Sequence, residues 1–108
     1  PLGGWLARLD TLRLENVGLG PSGAAELARS PRLPAVLDLG FNRLGDAGIA
    51  AIVGSSGFAR VAELVVRGNF LTLASAALLA DRGRHLRRLD VSANPALGAP
   101  QPHQARLP

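Results

Sequence analysis

The titratable chemistry of this 108-residue chain rests on two histidines, eight carboxylates and twelve arginines, with no cysteine. A histidine can hold a metal or move a proton near neutral pH, but only beside a second ligand or an orienting carboxylate. His85 lies in the turn-like run RHLRR and His103 in a proline-rich stretch, and neither has such a neighbour at ligand spacing. No serine stands in a nucleophile-elbow context. Zero cysteines exclude disulfides and thiolate metal centres and favour a reducing compartment, such as the cytoplasm. The inventory implies no enzyme, no cofactor and no metal site.

One arrangement imitates a dinucleotide site. Gly18, Gly20 and Gly23 fit the spacing GxGxxG ahead of a helical stretch, and Asp38 follows 20 residues after Gly18. Yet the stretch 25 residues further on offers Arg43, Gly45 and Gly48 at the same places, so two of the glycines follow a turn that recurs along the chain. The helical segment is too short for a Rossmann crossover, and Asp38 falls within a strand instead of at its end. Nucleotide binding is set aside on these grounds.

What recurs is a whole pattern. LRLENVGL (12–19), LDLGFNRL (37–44), LVVRGNFL (64–71) and LDVSANPA (89–96) superimpose, with Val17, Asn42, Asn69 and Asn94 at one shared place, 25, 27 and 25 residues apart. Periods of this length signal stacked repeats. Within each copy the pair Leu12/Leu14 and its equivalents alternate with a period of two, which turns both side chains to one face of a short strand. Strands are expected near 12–14, 37–39, 64–66 and 89–91. Behind them come GPSGAAELARS, GDAGIAAIVGSS and TLASAALLADRG, alanine-rich and therefore helix-favouring, with Ser22 and Asp46 as expected N-cap acceptors.

The template LxxLxLxxNxL resembles the leucine-rich repeat family, and the helical segments are most similar to its ribonuclease-inhibitor-like and short, alanine-rich bacterial subclasses. The resemblance covers residues 9–97. It implies an α/β solenoid with short parallel strands on the concave face and short helices on the convex face. It also implies that Asn42, Asn69 and Asn94 form a structural ladder, their inward amides serving backbone groups where the chain leaves the strand. Val17 departs from the pattern, so the first copy is expected to have a weaker ladder or a different bend.

A single copy buries too few aliphatic side chains to offset the entropy of ordering it, so stacking must stabilise the whole. Residues 1–8 read as the remnant of a preceding coil, with Trp5 and Leu6 as a lid. Residues 98–108 read as a mobile tail, being proline-rich and aperiodic. No polar capping repeat is evident and the chain opens on Pro1, so it is expected to be a fragment of a longer array or a trimmed product, whose open edges could stack on another copy. No apolar run approaches a membrane span.

The formal charge is +4, which invites a nucleic-acid reading until position is considered. The outward strand positions are Thr11, Arg13, Glu15; Val36, Asp38, Gly40; Glu63, Val65, Arg67; and Arg88, Asp90, Ser92. They hold three arginines and four carboxylates, so the face carries about −1, opposite to what phosphate wants. The excess arginines, Arg82, Arg84, Arg87 and Arg88, surround the entry to the last strand and read as a solvated turn.

Arg13 should pair with Asp38, and Glu63 with Arg88, across neighbouring strands. Phe41 and Phe70 fall on the rim just past their strands, where an aromatic side chain anchors a partner or packs on its neighbour; packing of the two on each other is the favoured reading. Phe58 reads as core. The family resemblance implies protein recognition on the concave face and strand rim, by Arg13, Asp38, Phe41, Glu63, Arg67, Arg88 and Asp90. The alternative is an architectural spacer within a larger protein, and nucleic-acid binding stands third.

Overall fold

The computed structural model describes residues 3–98. Four parallel strands lie side by side in chain order: β1 (Thr11–Arg13), β2 (Val36–Asp38), β3 (Glu63–Val65) and β4 (Arg88–Asp90). Helix α1 (Gly3–Leu6) precedes β1, and α2 (Gly20–Ala28), α3 (Gly45–Val53) and α4 (Leu73–Arg82) carry the chain from each strand to the next. Parallel neighbours require a crossover, and one short helix with its turns serves each time. Each strand with the turns and helix after it counts as one repeat, numbered one to four along the chain.

The strands are in register without offset. Thr11, Val36, Glu63 and Arg88 form one row, Leu12, Leu37, Leu64 and Leu89 the next, and Arg13, Asp38, Val65 and Asp90 the third. Each strand begins one residue before the leucine at which the periodicity places it. The reason is that this first residue is already bonded: Val36 N donates to the Asp10 carbonyl at 2.9 Å and Glu63 N to that of Ala35 at 2.9 Å. Extended pairing also runs past the strand ends, with Leu14 N, Leu39 N and Val66 N each donating at 2.8 Å to the next repeat.

The leucine row points inward and, with Leu39, Val66, Leu44, Leu71, Leu27, Ile52 and Leu79, forms one apolar layer between sheet and helices. Leu37 and Leu64 on the inner strands are fully buried, whereas Leu12 and Leu89 on the edge strands are 8 % exposed. Truncating an inner leucine to alanine should cost about 2–5 kcal/mol. At the N-terminal end Leu6 is buried against this layer while Trp5 remains half exposed, so Leu6 does the covering. Phe58, in a 3-10 turn over Ser56–Arg60, is buried in the same core.

The helix starts differ from expectation. Ser22 and Asp46 lie inside the first turns of α2 and α3, whose cap positions are Leu19 and Leu44 with no side-chain acceptor. The leading N–H groups find another partner: Gly20 N donates to the Asn42 carbonyl at 2.8 Å and Gly45 N to that of Asn69 at 2.9 Å. The first N–H of each of these helices is thus served by the backbone of the next repeat instead of by a local cap. Helix α4, by contrast, is capped from its own chain segment, Thr72 Oγ1 accepting from Ala74 N. Helices α2 and α3 also approach closely, since a Cβ on Gly48 would lie 3.4 Å from that of Ala24.

Candidate functional site

The rim begins where each strand ends. The residue before the shared asparagine place is left-handed in all four repeats: Asn16 at φ 55°, Phe41 at 57°, Gly68 at 62° and Ala93 at 58°. Such a backbone turns its amides away from the strand ladder, and the asparagines meet them. Asn42 Oδ1 accepts from Val17 N and Leu19 N at 3.0 and 3.2 Å, Asn69 Oδ1 from Asn42 N and Leu44 N at 2.9 and 3.1 Å, and Asn94 Oδ1 from Asn69 N and Leu71 N at 2.8 and 2.9 Å. Their Nδ2 groups donate back to the carbonyls of Leu14, Leu39 and Val66. Every amide therefore completes the bend of the repeat before its own.

This direction of service decides between the two alternatives expected for the first repeat. Its bend is not different, since it matches the others in φ and is served by Asn42, but those bonds are partly open to water, so the ladder there is the weaker one. Val17 is exposed and would have served a strand before β1, which the described residues do not contain.

Beyond the rim lies the outward face. Arg13 approaches Asp38 to 3.9 Å, Arg88 approaches Glu63 to 3.9 Å, and Arg67 approaches Asp90 to 3.8 Å. These are ion pairs longer than hydrogen bonds. The aspartates are tied down separately: Asp38 Oδ1 accepts from Gly40 N at 3.1 Å, and Asp90 Oδ1 from Ser92 N and Ser92 Oγ at 3.0 and 2.6 Å. Asp38 and Asp90 thus hold the turn after their strands as well as facing an arginine.

Phe41 and Phe70 do not form a ring pair. The Cδ1–Cε1 edge of Phe41 rests where a side chain on Gly68 would be, leaving no room for a Cβ there, and the Arg67 guanidinium carbon stands 5.7 Å from the ring centroid. Phe70 is left exposed, as is Leu73 close to it in sequence. The aromatic contact among the described residues joins Phe58 and His85 instead, edge-on at 4.9 Å. His85 Nε2 lies 2.9 Å from the Phe58 carbonyl oxygen, which requires the proton on Nε2. His85 therefore braces a turn. Around it Arg82, Arg84 and Arg87 are exposed, and His103 lies outside the described residues, as do residues 99–108 of the expected tail.

Two connections had no sequence forecast. Asp46 accepts from Thr72 N, Thr72 Oγ1 and Ser75 Oγ, clasping α3 to the start of α4. These donors, Ser75 first and Thr72 next, lower its pKa to about 2 from 3.8. Arg60 reaches back to Asp10, just ahead of β1, at 2.9 Å. The only hint of either was an acidic residue at a turn, a signal that does not say which repeat it serves.

No group of three or more metal-ligating side chains occurs among the described residues, and Gly18 and Gly20 are left-handed turn residues of the same class as Arg43 and Gly45. The arrangement offers a polar, rigidly backed surface four strands wide. A family model described as "Leucine Rich repeat" matches residues 36–53, which span β2, the Asn42 bend and α3. No curated protein and no solved structure matches the chain.

Proposed function

We propose that this chain, which carries a leucine-rich repeat, is a non-enzymatic protein-binding module whose partner sits on the concave face and strand rim of a short solenoid. Residues 9–97 form the array, of ribonuclease-inhibitor-like or alanine-rich bacterial type. Support comes from one observation: adjacent strands in unshifted register hold charged side chains outward over a continuous apolar layer, so the surface is both specific in pattern and stiff. Exposed ion pairs add little stability, but their layout selects partners. Arg13, Asp38, Glu63, Arg67, Arg88 and Asp90 supply that pattern, with Phe41 at the rim.

The test is saturable capture of a partner by the immobilised chain, with Arg13→Glu and Arg88→Glu as variants. These side chains are exposed and hold no backbone bond, so capture should weaken at least tenfold with the thermal melt unchanged. Asp38 and Asp90 are poorer probes because reversal would also free the turn amides they accept. Capture indifferent to both arginine changes would move the interface off this face. Absence of any saturable capture would favour an architectural spacer.

A further inference from the structure

The ion pairs of the outward face are unequal in exposure. The side chains of Arg13, Arg67 and Arg88 are 64 %, 49 % and 64 % exposed, against 15 %, 20 % and 39 % for their partners Asp38, Asp90 and Glu63. The formal count of charges is slightly negative, yet an approaching molecule meets guanidinium first. The three paired carboxylates lie beneath, Glu15 at the edge is exposed, and the two aspartates already accept backbone N–H bonds.

Arg67 is the best prepared of the three. Ser92 pins Asp90 through Oδ1, leaving Oδ2 to draw the Arg67 Nε to 3.8 Å. The guanidinium also stands over Phe41, whose ring edge rests against Gly68. Phe41 holds a φ of 57°, unusual for a bulky residue and retained where the surroundings impose it. Nε is the guanidinium nitrogen that approaches Asp90, and the guanidinium carbon lies over the ring, so neither partner takes a hydrogen bond from the two terminal amino groups. No acceptor among the described residues meets them. A planar fork with both terminal amino groups unbonded matches a carboxylate in bidentate fashion.

From this geometry we infer that Arg67, seated on Phe41 and aligned by Asp90, is the anchor for an acidic side chain, and that the partner presents an extended acidic segment to the face. Arg13 and Arg88, two strands and one strand away, add long-range attraction for further carboxylates. The inference rests on the protein-binding reading above and names the chemistry of that partner.

The experiment uses a panel of extended twelve-residue peptides bearing one to three Glu residues, each matched by its Gln counterpart, titrated against the whole chain by fluorescence anisotropy. Glu peptides should bind at least tenfold tighter than their Gln counterparts. Arg67→Gln should abolish that preference, and Arg67→Lys, which keeps the charge but not the fork, should lose most of it with an unaltered melt. Equal binding of Glu and Gln peptides, or a preference that survives Arg67→Gln, would overturn the inference while leaving a protein-binding module in place. Tighter binding of a single-stranded oligonucleotide than of any Glu peptide would overturn it in favour of a polyanion surface. If no peptide binds, the anchor is refuted, and the capture experiment with Arg13→Glu and Arg88→Glu decides separately whether the module reading stands.

Discussion

The junction between repeats one and two differs from that between repeats two and three, although one template built both. Each has the sheet pairing and one asparagine: Asn42 closes the first bend and Asn69 the second. The inner junction has more. Asp46 clasps α3 to Thr72 and Ser75, whereas the equivalent place in repeat one is Pro21, which has no side-chain acceptor. The bonds Asn69 accepts from Asn42 and Leu44 are buried, while those Asn42 accepts from Val17 and Leu19 are partly open to water. The same residue type is therefore worth more at one junction than at the other, because the cost of losing it depends on what replaces its bonds.

The widest separation should come from removing the two amides. Asn69→Ala strands Asn42 N, Leu44 N and Leu39 O, while Arg67 O keeps its bond from Phe41 N, and at about 1–3 kcal/mol for each buried group left unpaired the expected loss is about 3 kcal/mol or more. In Asn42→Ala water can reach some of the freed groups, so about 2 kcal/mol is expected. Urea titration of both variants measures the difference, and equal losses would break the comparison.

Asp46 gives the next effect, through pH. Its folded pKa is lowered to about 2 from 3.8, so its contribution is fully present above pH 3.8 and is lost as pH falls toward 2. The melting temperatures of the natural chain and of Asp46→Asn should differ at about pH 5 and converge below about pH 2.5. A constant gap would mean that the clasp does not depend on the ionised carboxylate. Smallest of all is Val17→Asn, which restores the template where no described repeat can use it. Its effect should lie within about 0.5 kcal/mol, and a larger gain would show that this place serves repeat one itself.

Much of this architecture is legible in the order of the residues. Alternating Leu12/Leu14 and its equivalents carry the strands, because period two admits one packing arrangement, and the alanine-rich stretches carry the helices. What escaped was direction. A repeating Asn42, Asn69 and Asn94 states that one place recurs, but a period is the same read either way and does not say whether an amide serves the repeat before or after it. The capping role expected of Asp46 failed for a related reason, since an acidic residue at a helix start bonds equally well to its own turn or to a neighbour's. On the outward face, counting charges yields a sign but not an order in depth. That Arg67 stands above Asp90 depends on the short tether of Asp90 to Ser92 and on a ring seated at Gly68.

The backward reach of the asparagines also bears on how the molecule is made. A ribosome delivers Val17 and Leu19 well before Asn42, and at about 5–20 residues per second the acceptor for those two amides emerges about 1 to 5 s after them. Closure during synthesis must then trail translation by one full repeat, so the newest bend is always the unfinished one and the growing tip keeps its leucines uncovered until its successor arrives.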